Sequence, residues 1–191
     1  MRELETSRLL IRSFTTIDLD VFARLMDASF GGPTDLEHHR ERVLYYVLAE
    51  KVAARLHQPP YGDRAIVLKD TGRLIGSVGF VPCLAPFGQL PSFGGGQGSK
   101  FSPEVGLFYA VLPEYRGRGM ASEAAGAMIR FAFNHLNLRR IVATTEYDNA
   151  ASAAVMRRIG MTIQHNPWPL PQWFQVVGVL ENVEGEHLGP S

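Results

Sequence analysis

Arg116, Gly119 and Ala121 lie in the run Pro113-Glu114-Tyr115-Arg116-Gly117-Arg118-Gly119-Met120-Ala121-Ser122-Glu123-Ala124, and their spacing suits a backbone cradle for a diphosphate. A helix start carries unpaired N–H groups and a partial positive charge, so glycines placed there let an anion approach the backbone closely. The order Arg-x-x-Gly-x-Ala differs from the G-x-x-x-x-G-K-[ST] phosphate loop. It also differs from the dinucleotide fingerprint, because Ser122 occupies the place of the third glycine. The plain alternative is a glycine-containing turn flanked by two solvated arginines.

Such a cradle needs a strand before it and a helix after it. Residues 105–112 form an apolar run with Phe108 and Tyr109, bounded by Pro103 and Pro113, which predicts a buried strand. Beyond the glycines, Met120, Ala124, Ala127, Met128 and Phe131 recur at helical spacing, and Glu123, Gly126, Arg130 and Asn134 form a narrower polar stripe. Upstream, 4–14 reads as a first strand, Thr15 or Thr16 as the cap of a helix over 18–28, and Gly31-Gly32-Pro33 as its stop. In that helix Ile17, Val21, Phe22 and Leu25 form the apolar face. A second helix is expected over 34–56, with Leu36, Val43, Leu44, Val47, Leu48, Val52 and Leu56 on its apolar side and His38 and His39 largely on the other. Adjacent helical residues point about 100° apart, so His38-His39 is not read as a metal pair, and no metal is expected.

Lys69-Asp70-Thr71-Gly72-Arg73 has hairpin length and joins two antiparallel strands. The stretch 82–103, with four prolines and five glycines, is expected to continue neither strand nor helix, and its Gly94-to-Lys100 segment reads as flexible rather than as a phosphate loop. A β-branched strand follows over 140–145. A helix capped by Asn149 ends with Arg157 and Arg158 before Gly160, 161–164 is a short strand, and 173–180 a last one. The expected layout is a mixed α/β (α+β) domain covering 1–191, with its core at about 4–180 and a frayed tail at 181–191.

With 19 basic and 19 acidic residues, the chain carries no net charge to draw it to nucleic acid or to an acidic membrane, and neither partner is expected. A lone Arg116-Gly117-Arg118-Gly119 copy does not make an RNA-binding tract. Cys83 is the single cysteine, which excludes an internal disulfide. The charged start, and the lack of any apolar run of membrane length, point to a cytoplasmic protein.

Several blocks together resemble one family. Arg116-x-x-Gly119-x-Ala121 after a strand is similar to the acetyl-CoA pyrophosphate loop of the GNAT superfamily of N-acetyltransferases. Leu4-Glu5-Thr6-Ser7-Arg8-Leu9-Leu10-Ile11-Arg12 resembles the opening of its Rim-type branch, which includes acetyltransferases of ribosomal-protein N-termini. Leu138-Arg139-Arg140-Ile141-Val142 and Asn149-x-x-Ser152, ending at Arg158-Ile159-Gly160-Met161, resemble that branch's later segments. The resemblance implies the GNAT fold: a mostly antiparallel sheet of about six to seven strands, splayed between its two central strands and flanked by about four helices.

It also implies transfer of an acetyl group from acetyl-CoA to an amine, with no metal. In that reading Arg116, Gly117, Arg118, Gly119, Met120 and Ala121 hold the pyrophosphate. The splayed strand end, Ala110, Val111 and Leu112, runs beside pantetheine, where an amide can polarise the thioester carbonyl. Asn149 and Ser152 contact the cofactor, and Ser152 replaces the tyrosine that many members carry one helical turn later, where this chain has Met156. Glu104 is the first candidate for general base and Glu146 a second, each with a solvated-carboxylate alternative. Cys83 has no histidine beside it in sequence to activate it as a nucleophile. Trp168, Trp173 and Phe174 line the acceptor cleft or pack the sheet. The acceptor is a protein or peptide N-terminus or a small amine. The competing reading is a catalytically weak acyl-CoA-binding module whose Pro/Gly loop serves a protein partner or a homodimer contact.

Overall fold

The computed structural model describes residues 1–183, so most of the expected tail lies outside the described residues. Eight strands and four α-helices are present among them, and the strands follow the order β1-β2-β3-β4-β5-β6-β8-β7 in one mixed sheet. The chain clusters into two compact units, Met1–Val81 with Phe108–Met128, and Pro82–Leu107 with the residues from Ile129 onward. No described helix is long and apolar enough to cross a membrane.

In the first unit the expected strand over 4–14 is two strands, β1 (Leu4–Glu5) and β2 (Leu9–Arg12), paired antiparallel with Leu4 opposite Ile11. The break is made by Thr6. Its N–H donates to the Leu9 carbonyl at 2.9 Å, and its hydroxyl accepts the Leu9 N–H at 2.9 Å, which folds the chain back on itself. Thr15 and Asp18 then form a capping box around a short 3₁₀ turn, and α1 (Leu19–Phe30) follows. Arg12 holds the Asp18 carboxylate with two hydrogen bonds of 2.8 and 2.9 Å. Phe22 and Leu25 are buried as expected, whereas Ile17 sits in the 3₁₀ turn before the helix and is exposed. Gly31 ends α1 in the left-handed conformation, φ +92°, donating to Asp27.

α2 (Leu36–Arg55) is capped by Asp35; of the expected apolar face Val43 is buried, but most of the rest is not. Its buried residues include His39 and Val43, with Tyr46 packed behind them. Leu36, Leu44, Leu48, Val52 and Leu56, assigned to the apolar side, are exposed. His39 is buried by its bond to Asp27 of α1, Nε2 to Oδ1 at 3.0 Å, so a polar side chain occupies the inner face because it has a partner there. β3 (Gly62–Leu68) and β4 (Leu74–Ala85) form the expected hairpin. Side chains are excluded at Gly79, where a Cβ would collide with the Gly62 carbonyl oxygen.

In the second unit the stretch 82–103 is more ordered than its composition suggests. β4 continues through Pro82 to Ala85, and β5 (Ser102–Val111) already includes Pro103. The described pairing of β4 with β3 ends at Phe80, so Pro82 withdraws no N–H from that ladder. Between them, two 3₁₀ turns at Phe87–Gln89 and Pro91–Phe93 bury Phe87 and Leu90 against Phe174, Val177 and Val179. The Gly96 N–H donates to Gly88 at 2.9 Å, so the expected flexible segment begins as a hydrogen-bonded turn. β5 runs parallel to β6 (Arg140–Thr145), with Gly106 opposite Val142. α4 (Ala150–Arg158) and β7 (Thr162–His165) lead to β8 (Val176–Glu181), antiparallel to both β6 and β7.

One buried acid in the first unit sets a pH dependence. Asp63 on β3 is 4% exposed, and its Oδ2 makes no hydrogen bond. Burial pushes its carboxyl up to about 6, while Tyr46, Ser77 and Arg42 nearby pull the other way. The native state therefore binds more protons than the unfolded chain between the usual carboxylate range and pH 6, and stability falls as pH rises through that window. Asp63→Asn is expected to flatten this slope and to raise the melting temperature more at pH 8 than at pH 5, read by thermal unfolding across pH.

Candidate functional site

The strand-loop-helix junction lies in the first unit and is fixed at both ends. Leu112, fully buried, donates its N–H to the Ile75 carbonyl at 2.9 Å, which anchors the end of β5. A single 3₁₀ turn over Pro113–Tyr115 follows, closed by Tyr115 N–H to Leu112 at 2.9 Å. Gly117 (φ +72°) and Gly119 (φ +78°) then adopt left-handed backbone, and α3 (Met120–Asn134) begins. Space around Gly117 is open, so the backbone angle is what demands glycine there. The first bond of the helical ladder is Glu123 N–H to Gly119 C=O, 3.0 Å, and a helix opened in this way leaves its first-turn N–H groups outside that ladder.

The two arginines divide their work. Arg116, itself exposed, folds back on the chain, donating from Nε to the Val111 carbonyl at 3.0 Å and from Nη2 to the Ala28 carbonyl at 3.2 Å. Arg118 is exposed, with its guanidinium 5.9 Å from the Tyr115 ring centre. Both expected phosphate-side charges are exposed, but Arg116 is committed to the Val111 and Ala28 carbonyls. Because the Leu112 N–H is taken by Ile75, that amide is also not free to polarise a carbonyl.

Sequence reading missed two residues at this junction, Arg8 and Glu123. The Glu123 carboxylate, in the first turn of α3, accepts at Oε1 from Thr6 Oγ1 (2.6 Å), Ser7 Oγ (3.1 Å) and the Arg8 N–H (3.0 Å). Its Oε2 accepts from Arg8 Nε at 2.7 Å and Nη2 at 2.6 Å. Arg8 Nη1 donates in turn to the Arg118 carbonyl at 3.1 Å. Burial tends to raise the Glu123 carboxyl, but these donors outweigh it and hold the group below the usual range. The available signal was an acid in the first turn of the helix and an arginine beside the first strand.

In the second unit, Glu104 at the start of β5 is bound to Arg140 of β6, Oε1 to Nη1 at 2.8 Å, and Arg140 also holds Glu181 at 2.6 Å. The Arg140 guanidinium covers the Phe93 ring at 4.3 Å. Asn149 caps α4, its Oδ1 accepting the Ser152 N–H at 3.0 Å, so cap and serine are joined as their spacing suggested. Met156 is fully buried, where a Cβ on Gly178 would lie 3.0 Å from its sulfur. Phe174 is core and Trp173 exposed. Burial, then Glu104 nearby, pushes the Cys83 thiol up, which opposes a nucleophilic thiolate. Among the described residues no group of His, Cys, Asp and Glu is arranged to hold a metal.

The family model described as an acetyltransferase (GNAT) domain matches residues 8–162. The chain is similar to two proteins of Bacillus subtilis (strain 168). It is 30% identical to the uncharacterized N-acetyltransferase YoaA over 82% of this chain and 81% of that one. It is 33% identical to the uncharacterized N-acetyltransferase YnaD over 60% of this chain, spanning 61% of the relative. Among solved structures, an acetyltransferase from Agrobacterium tumefaciens str. C58 superposes with a TM-score of 0.69 at 26% identity, covering 95% of each chain. A ribosomal-protein-S5-alanine acetyltransferase from Vibrio fischeri shares the fold, with a TM-score of 0.67 at 17% identity, covering 98% of this chain and 100% of that one.

The Asn149 cap carries a direct test. Asn149→Ala removes the acceptor for the Ser152 N–H and should cost about 1 kcal/mol of stability. For a chain of this size that lowers the melting temperature by about 2–4 °C, measured by calorimetry.

Proposed function

Because the chain belongs to the GNAT acetyltransferase family, we propose that it moves an acetyl group from acetyl-CoA to a primary amine by direct attack within a ternary complex. The observation that carries this reading is the left-handed pair Gly117 and Gly119 opening α3 directly after a strand, with the exposed Arg118 between them. Backbone N–H groups from Arg118 to Ala121 bind the pyrophosphate, and Arg118 adds charge from the solvent side. The strand end at Ala110 and Val111 lies along pantetheine. Asn149 contacts the cofactor while capping α4, and Ser152 donates to the leaving thiolate. Met156, packed in the interior, takes no part.

The bond between Glu104 and Arg140 bears on the acceptor. A carboxylate already holding a guanidinium serves better as a cross-strand pin than as a base waiting for a proton. Direct attack requires a neutral amine. An α-amino group, with a pKa of about 7.7–8.0, supplies that form near neutral pH far more readily than an alkylamine near 10.4. We therefore favour an α-amino acceptor, such as a peptide N-terminus, deprotonated to water.

Calorimetric titration with acetyl-CoA, followed by thiol release against peptides and small amines, tests the reading. Binding with release to α-amino acceptors is the expected result. Binding without release would favour a CoA-binding module acting through a protein partner, and absence of binding would remove the cradle assignment. Gly119→Glu places a negative charge in the cradle and should weaken acetyl-CoA binding by about 100-fold or more, while the far-ultraviolet circular dichroism stays unchanged. Glu104→Gln should leave kcat within about threefold; a loss of the order of 100-fold, with a shifted pH profile, would restore Glu104 as the base.

A further inference from the structure

We propose that the turn Thr6-Ser7-Arg8 is a clamp on the cofactor loop, in which Arg8, oriented by Glu123, positions the Arg118–Gly119 peptide for diphosphate binding. The inference rests on the acetyl-CoA reading of the cradle and adds positioning residues to it. Three features of the contact argue for this role.

The first is direction. Arg8 Nη1 donates to the Arg118 carbonyl at 3.1 Å, and in a planar trans peptide that carbonyl and the Gly119 N–H point in opposite directions. Pulling the carbonyl toward Arg8 aims the Gly119 N–H away from it. Gly119 has left-handed backbone and no side chain to restrain it, so a peptide flanked by Gly117 and Gly119 needs an external restraint to keep one orientation.

The second is charge. Glu123 lies in the first turn of α3, one turn from the N–H groups that would receive the diphosphate. A free carboxylate there would repel the cofactor and compete for the same donors. Instead its two oxygens receive five donors from Thr6, Ser7 and Arg8, and the Arg8 guanidinium neutralises it. The carboxylate is thereby drawn off the helix end and turned into the support for Arg8.

The third is economy of structure. Arg8 is 45% exposed, and a half-exposed ion pair contributes little to global stability. Its geometry is nevertheless fully specified: Nε and Nη2 reach one carboxylate oxygen while Nη1 reaches a carbonyl. A lysine ammonium has no planar fork with which to make both contacts in this arrangement.

The test compares Arg8→Met, Arg8→Lys and the pair Arg8→Met/Glu123→Gln with wild type, measuring the CoA Kd by calorimetry, kcat at saturating acetyl-CoA, and the melting temperature. Arg8→Met is expected to raise Kd about tenfold while kcat changes less than twofold. Arg8→Lys should recover only part of the loss. The double variant, which restores local neutrality without the fork, should remain weakened. Wild-type affinity in Arg8→Met would overturn the clamp, and so would full recovery in either Arg8→Lys or the double variant, because charge alone would then account for the effect. Should Arg8→Met fail to fold, Glu123→Gln alone decides: it leaves Arg8 positive but unguided, so weakened binding supports positioning, and unchanged or tighter binding refutes it. Failure of wild type to bind CoA would overturn the cradle itself, a result separable from wild-type binding that Arg8 substitution leaves untouched.

Discussion

The junction depends on one constraint, that a helix cannot satisfy its own first N–H groups. Here the requirement is left open by design of the backbone: β5 ends on a buried Leu112, one short turn intervenes, and two left-handed glycines deliver the chain to α3. Any substituted residue at Gly117 would meet open space yet still resist the angle. The neighbouring polar contacts follow from keeping this short segment in a single shape. Arg116 ties it back to the strand end and to the last turns of α1, and Arg8 ties it to the turn between β1 and β2.

Such a loop is held mainly by side chains reaching backbone carbonyls. A carbonyl fixes a peptide plane, whereas a side-chain partner fixes only another side chain. Arg116 with two carbonyls and Arg8 with one therefore determine the course of the loop more directly than a surface ion pair of equal length would. This division also explains why the two arginines of the motif differ. Both are exposed, but Arg116 is committed to two carbonyls, whereas the Arg118 guanidinium lies near the Tyr115 ring.

Local features were legible in the sequence where the signal was local. The strand-turn-helix junction at 111–120, the 69–73 hairpin, the capping role of Asn149 and β6 at 140–145 all depend on residues a few positions apart, and each stands where periodicity, glycines or cap chemistry placed it. The Arg8–Glu123 contact spans 115 positions and has no short-range pattern of its own. The 82–103 stretch was misread for a related reason. Proline and glycine content describes what the backbone forbids, but the burial of Phe87 and Leu90 against Phe174 and Val177 comes from residues more than 80 positions away.

α2 shows most clearly how a pattern can point the wrong way. Its leucines and valines at Leu44, Leu48 and Val52 form a regular stripe, and regularity alone assigned them to the core. Of the expected face the structure buries Val43, and beside it His39 is buried and Tyr46 partly buried, while Arg64 of β3 binds Glu50 on the same helix at 3.0 Å. Those polar groups face inward because each meets a partner: His39 meets Asp27, Tyr46 receives Arg42 at 3.1 Å, and Glu50 accepts from Ser13 as well as Arg64. A buried polar residue without a partner would cost more than an exposed leucine saves, so partner supply, which a hydropathy pattern omits, decides which side of this helix faces the sheet.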